Sequence, residues 1–154
     1  MKHMLHLSLF AMLLLSFSSC LKTVEAPPPV VVDPLVGLWY LYDASESYGK
    51  GWYSFDAGID GVLSFYENGS AQYDDGNVFF QGSWYTSNIS DGYYDEYGNY
   101  YTDLHQSFQT SLTGSGNSSL HLYFDDITFS GNNQFIATYY NGKSIERYTF
   151  RRNN

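Results

Sequence analysis

Short runs in which apolar and polar residues alternate follow one another along most of the chain, and turn-forming residues separate them. Residues 35–42 and 78–85 are two such runs, and residues 62–66 and 70–74 flank an Asn68-Gly69 dipeptide. Because successive side chains of a strand point to opposite faces, this alternation predicts strands with one buried face. Asn-Gly between two such runs predicts a hairpin turn.

The pattern resumes after a polar, tyrosine-rich stretch at residues 87–103, which predicts a long connection. Residues 104–112 alternate again, with Leu104 and Phe108 on one face and His105 on the other. Since an apolar face packs inward, we expect Leu104 to be buried and His105 to be exposed.

Two predicted turns fix the register of the second half. A turn at residues 114–117 places Phe108 near Phe124. A two-residue loop at Asn141-Gly142 would place Phe135 opposite Tyr148, with Glu146 on the same face. The alternation breaks at Asp125-Asp126 between them, which predicts a bulge or a tight turn.

Turn signals at this spacing predict an all-β domain, and we expect a single small antiparallel up-and-down β-barrel of roughly eight strands. Aromatic residues, which favour half-buried strands, make up 19% of the chain. The 154 residues suit one domain, placed at residues 35–152. The chain has 16 acidic and 7 basic residues, a formal charge of -9, which argues against a nucleic-acid partner.

The first 19 residues predict an export signal. An apolar segment at residues 4–15 is too short to cross a bilayer, since spanning takes roughly 20 residues. The segment ends in Ser18-Ser19-Cys20, which resembles the lipobox of bacterial lipoproteins, with Phe17 where that family usually has Leu. The resemblance implies acylation of Cys20. The alternative is an ordinary cleaved signal with a cysteine nearby.

Residues 20–34 contain all four prolines of the chain and predict an extended tether between the lipid and the domain. A proline-rich motif for a partner is the alternative. Leu21 is not an acidic retention signal of the lipoprotein family. The resemblance therefore implies the outer membrane of a Gram-negative bacterium, and it leaves the periplasmic or surface face open.

Gly37-Leu38-Trp39 on the first predicted strand resembles the Gly-x-Trp signature of lipocalins, and Arg151 and Arg152 end the last strand. Residues 35–152 are similar to the short lipocalin-like lipoproteins of Gram-negative bacteria. The resemblance implies that Trp39 closes one end of the barrel and that a terminal arginine packs over it. The chain departs from a full secreted lipocalin in its shorter length and in lacking a clear helix after the strands.

A closed barrel of eight strands holds either a packed core or one small ligand. The expected ligand-lining residues are Trp39, Phe80, Trp84, Phe108, Phe135, Tyr139, Glu146 and Tyr148. Glu146 is the most informative of them, because a buried carboxylate needs a partner or a ligand. The alternatives are that the aromatic residues form the core and that Glu146 lies at the rim, solvated or paired with Lys143 or an arginine.

A tyrosine-rich run is the best surface candidate for an interaction. Exposed tyrosines flanked by hydrogen-bond acceptors suit sugar rings or a protein partner. The residues are Tyr93, Tyr94, Tyr97, Tyr100 and Tyr101. The alternative is a loop packed on the mouth of the barrel.

No pattern in the sequence supports catalysis, a metal site or a cofactor. The carboxylates match no calcium-binding loop, and no serine stands in a nucleophile elbow. We therefore expect a monomeric, lipid-anchored envelope protein that is not an enzyme and binds a small apolar or amphipathic ligand. The alternative is an interaction module with a filled barrel that contacts a glycan or an envelope protein through its tyrosine-rich loops.

Overall fold

The computed structural model describes residues 32–153, and the expectations for the signal peptide, for Cys20 and for most of the tether lie outside these residues. The described residues form β-strands and one 3-10 turn, Ser115–Asn117. The strands are β1 (Gly37–Ser47), β2 (Trp52–Ser54), β3 (Val62–Phe65), β4 (Ser70–Asp74), β5 (Phe79–Ile89), β6 (Tyr93–Tyr94), β7 (Tyr100–Tyr101), β8 (His105–Gly114), β9 (Ser119–Phe124), β10 (Asp126–Phe129), β11 (Gln134–Tyr140) and β12 (Ile145–Arg152). The all-β prediction is therefore confirmed.

One large antiparallel sheet contains most of these strands. Their order is β10-β11-β12-β1-β3-β4-β5-β8-β9, and β2 pairs with the second half of β1. The first and last strands of the chain, β1 and β12, pair with each other over most of their length. The β6 and β7 strands form a hairpin of their own. Most neighbours are joined by short turns, such as the predicted turn that ends at Gly69 with a φ of 79°.

The β9 and β10 strands are two halves of one extended segment that divides at Asp125. The first half pairs with β8 and the second half pairs with β11. At the division, the backbone N–H of Asp125 donates to the carbonyl of Thr138 at 2.8 Å. The backbone N–H of Tyr140 donates to the Asp125 carboxylate at 2.7 Å. The break in alternation therefore marks the point where the chain changes its partner strand.

Aromatic rings pack against one another in the core. Trp39 meets Phe135 edge-on at 4.8 Å between ring centres, and Phe135 stacks on Phe150 at 4.6 Å. Phe108 and Phe124 face each other across β8 and β9 and stack at 5.9 Å, which confirms the predicted register. All five are at most 2% exposed. Burial of each such side chain contributes roughly 1.5–3 kcal/mol.

Arg152 covers Trp39 at one end of the core. Its guanidinium lies 4.3 Å from the centre of the Trp39 ring and donates to two backbone carbonyls of the segment before β1, at 2.9 and 2.8 Å. Gly37 has a φ of 138°, and a Cβ there would lie 2.1 Å from a guanidinium nitrogen of Arg152. The position therefore requires glycine. Arg151 lies elsewhere, 3.3 Å from the centre of the Tyr42 ring.

Two expectations about the middle of the chain are wrong. The stretch at residues 87–103 contains the end of β5 and the β6–β7 hairpin, so it is not simply a connection. Leu104 is 72% exposed, whereas His105 is only 8% exposed. His105 is buried because the β6–β7 hairpin covers the outward face of the sheet, where Tyr93 stacks on the His105 ring at 4.0 Å, whereas Leu104 precedes the start of β8.

The register of the last hairpin also differs from the expected one. Phe135 pairs with Phe150 rather than with Tyr148, so the loop between β11 and β12 has four residues instead of two. The side-chain oxygen of Asn141 accepts two backbone N–H groups of this loop, at 3.0 and 2.9 Å, which stabilises the longer turn. Because the register moves by two residues, Glu146 keeps the same face as Phe135.

Candidate functional site

The division at Asp125 leaves an opening beside β9. Within residues 32–153, β9 pairs with β8 on one side and has no partner strand on the other. The opening holds a pocket of about 250 Å³, which we call the slot. The slot is lined by residues of β9, β11 and β12, namely His121, Leu122, Tyr123, Phe124, Tyr139, Glu146 and Tyr148.

The base of the slot is apolar. The Phe124 ring is 2% exposed and meets the Tyr148 ring at 5.0 Å between centres. Leu122 and Tyr139 are half-buried and pack against the same cluster as the core aromatics. A ligand in the slot would therefore rest on a surface continuous with the packed core.

Glu146 brings a fixed negative charge to the slot. One carboxylate oxygen accepts the side-chain N–H of Asn141 at 2.7 Å, and the other accepts the hydroxyl of Tyr148 at 2.6 Å. Burial and the bond to Glu146 raise the pKa of Tyr148 well above its ordinary value. The hydroxyl therefore remains a donor at neutral pH and holds the carboxylate in one orientation.

A second carboxylate stands opposite Glu146. Glu46 on β1 is the direct cross-strand neighbour of Glu146 on β12. Glu46 accepts the hydroxyls of Tyr48 at 2.9 Å and of Ser144 at 3.5 Å. Like charges directly opposite each other in an antiparallel pair repel. A cation or a strong hydrogen-bond donor bound here would relieve this repulsion.

The expected ligand-lining residues divide into two groups. The slot contains Tyr139, Glu146 and Tyr148. Five others do not line it: Trp39, Phe80, Trp84, Phe108 and Phe135. Most of these five are buried in the core, and the indole N–H of Trp84 donates to the backbone carbonyl of Tyr66 at 3.0 Å. Their packing explains their burial without a ligand.

The tyrosine-rich run forms the β6–β7 hairpin, which has a packed side and an exposed side. On the packed side the carbonyl of Tyr94 accepts the hydroxyl of Thr138 at 2.5 Å. The hydroxyl of Tyr93 donates to Asp103 at 3.0 Å, and burial together with this bond raises the pKa of Tyr93 to about 12. The exposed side carries Tyr97, Tyr100 and Tyr101, which are 74%, 58% and 43% exposed.

Sequence reasoning missed the β9 half of the slot. The missed residues are His121, Leu122, Tyr123 and Phe124. The available signal was the break in alternation at Asp125-Asp126, which we interpreted only as a bulge or a turn. A strand that changes partner at such a break leaves the edge of its first half free.

No protein-family model, curated protein or solved structure matches the chain. In the part of the chain that the structure describes, no group of three or more His, Cys, Asp or Glu side chains is arranged to hold a metal ion. Among residues 32–153, no helix has the length and apolar character needed to cross a membrane.

Proposed function

We propose that this chain is a lipid-anchored envelope protein with a closed, lipocalin-like β-barrel, and that its slot binds a small amphipathic ligand without catalysis. The observation that carries the proposal is the slot itself. It combines an apolar base at Phe124 with a carboxylate, Glu146, that two donors hold in a fixed orientation.

Strand pairing supports the closed barrel. The path of the sheet runs through nine strands and has β9 and β10 at its two ends. These two strands are consecutive in the chain and separated only by Asp125. Counting them as one gives eight wall segments in a continuous circuit. A barrel of about eight strands is just wide enough for side chains to fill or for one small ligand.

The chemistry of the slot favours an amphipathic ligand over a purely apolar one. An apolar molecule would remove water from Glu146 and supply no donor in return, which is costly. A ligand with a cationic or donor group and a short apolar part would satisfy Glu146 and cover Leu122 and Phe124. The slot volume of about 250 Å³ limits the part of the ligand that lies inside the slot to a small group.

The lipid anchor rests on the motif Ser18-Ser19-Cys20. Acyl chains contribute about 0.8 kcal/mol for each buried methylene, so several chains give a stable anchor. We expect the full chain to incorporate labelled palmitate and to fractionate with the outer membrane. The Cys20→Ala variant should do neither, and a variant that still carries the label would exclude acylation at Cys20.

Native mass spectrometry of the full mature chain tests the ligand proposal. The protein would be released from membranes in detergent and offered fractions of an envelope extract. We expect the wild type and the matched Glu67→Gln variant to retain an adduct of defined mass, because Glu67 is exposed in a turn away from the slot. The Glu146→Gln variant should lose it. An adduct that survives in Glu146→Gln, or no adduct from any fraction, would contradict the proposal.

A second candidate function is glycan or protein binding through the β6–β7 hairpin. The exposed rings of Tyr97, Tyr100 and Tyr101 favour it, because aromatic rings beside polar groups suit sugar stacking. A glycan array probed with the wild type and with Tyr97→Ala tests this possibility. Identical signals from both proteins would count against the hairpin.

A further inference from the structure

The edge of β9 that faces the slot carries backbone groups without a partner strand in residues 32–153. In an antiparallel strand, the N–H and C=O groups of successive residues point alternately to the two sides. The carbonyl of Ser118 accepts an N–H from the β8 side at 2.9 Å, and the N–H of Asp125 donates to β11 at 2.8 Å. The backbone groups of Ser119, His121 and Tyr123 therefore point away from β8, to the open side.

The slot reaches this edge. It touches four successive residues of the same strand, residues 121–124, whose side chains point to both faces of the sheet. The slot also touches Tyr139 of β11, the strand to which the N–H of Asp125 donates on the open side of β9, so the slot lies beside the free edge. Its occupant therefore meets pairs of N–H and C=O groups that repeat every second residue, about 6.6–6.8 Å apart. The main chain of an extended peptide repeats its own groups at this spacing.

The charges around the slot favour one kind of side chain on such a peptide. Glu146 lines the slot, Glu46 stands opposite it, and the whole chain carries a formal charge of -9. Side chains of an extended peptide alternate between two faces. Those on the inner face would meet Leu122 and Phe124 along the apolar base, and Glu146 at its charged end.

We propose that the slot binds an extended peptide that adds to the free edge of β9 as a further strand and places one lysine or arginine against Glu146. The main-chain bonds would supply affinity, and the charge would supply selection among peptides. The inference rests on the proposed function of the slot and deepens it, because it names the class of amphipathic ligand.

Peptide binding to the full mature chain in detergent tests the inference. The probe is a short N-acetylated peptide of alternating valine and threonine with one central lysine, labelled for fluorescence anisotropy. Two N-methylated versions are its controls, each with the amides of one alternate set blocked. We expect methylation of one set of amides to weaken binding by about tenfold or more and methylation of the other set to leave binding unchanged, because only one edge of the peptide main chain pairs with β9.

Changes to charge complete the test. Replacing the central lysine by glutamate, or Glu146→Gln in the protein, should also weaken binding by about tenfold. The matched Glu67→Gln variant should bind as the wild type does. Equal effects of the two N-methylation patterns, or unchanged binding by Glu146→Gln, would overturn the inference.

Two further outcomes separate this inference from the proposed function. If mass spectrometry shows a retained small-molecule adduct and no peptide binds, the inference fails and the proposed function stands. If neither ligand is retained, both fail. Sedimentation is measured in parallel on the wild type and on His121→Pro, which removes an N–H that points to the slot and not to β8. A wild-type dimer that dissociates in this variant would assign the edge to a second copy and overturn the peptide proposal.

Discussion

Replacement of Trp39 by alanine would test the packing at the end of the core. Trp39 is 0% exposed, meets Phe135 at 4.8 Å, donates its indole N–H to the carbonyl of Leu35 at 2.7 Å and lies under the Arg152 guanidinium. Truncation of a buried Trp costs about 3–5 kcal/mol. The contact with Arg152 accounts for about 0.5–1 kcal/mol of this. We therefore expect Trp39→Ala to lower the free energy of unfolding by about 3–5 kcal/mol.

Urea unfolding of the full chain, followed by far-ultraviolet circular dichroism, measures this loss. Trp52→Ala is the matched control, because Trp52 also lies under an arginine, with the Arg147 guanidinium 4.1 Å from its ring centre, but is only half-buried. We expect it to cost about 1 kcal/mol. A loss below about 0.5 kcal/mol for Trp39→Ala, or one no larger than for Trp52→Ala, would refute the placement of Trp39 in the core.

Three further predictions concern glycine and pH. Gly37→Ala should destabilise by about 1–3 kcal/mol, and more than Gly131→Ala, because only at Gly37 does the added Cβ meet Arg152; equal losses in urea would contradict this. Burial raises the pKa of Asp126, so its negative charge opposes folding above the pKa of the unfolded state. Asp126→Asn should therefore stabilise the protein at neutral pH, and urea unfolding should show a smaller gain in stability at about pH 4. The raised pKa of Tyr148 means that its contribution to stability is present below about pH 10 and is lost as the pH rises further. Between about pH 8 and pH 11, Tyr148→Phe should therefore lose less free energy of unfolding than the wild type. An equal loss in the two proteins would contradict the bond to Glu146.

Local pattern was sufficient for strands whose two faces differ clearly. The pairing of Phe108 with Phe124 follows from alternation, because a slip of one residue would expose an apolar face. Alternation failed at His105, because its burial depends on a hairpin that folds over the outward face of the sheet, and at Leu104, which precedes β8 and is exposed. Contacts of this kind join distant parts of the chain and leave no periodic signal.

For the candidate site, too, the sequence pattern was sufficient for one part and not for the other. Tyr139, Glu146 and Tyr148 share one face by parity, so the sequence could place them together even though the predicted loop was two residues too short. The β9 half of the slot could not be found in this way. It exists because the chain changes partner at Asp125, and the identity of a partner strand is a property of the whole sheet.

Hydrogen exchange of backbone amides in the full chain, measured by NMR, most directly tests the proposal that the sheet closes at the divided strand and leaves the edge of β9 open. Bonded amides of a sheet exchange far more slowly than free ones. We predict slow exchange at the N–H of Leu122, which points to β8, and at the N–H of Asp125, which donates to the carbonyl of Thr138. We predict fast exchange at the backbone N–H groups of His121 and Tyr123, which point to the slot. Slow exchange at these two residues, or fast exchange at Asp125, would contradict the divided strand and the open edge.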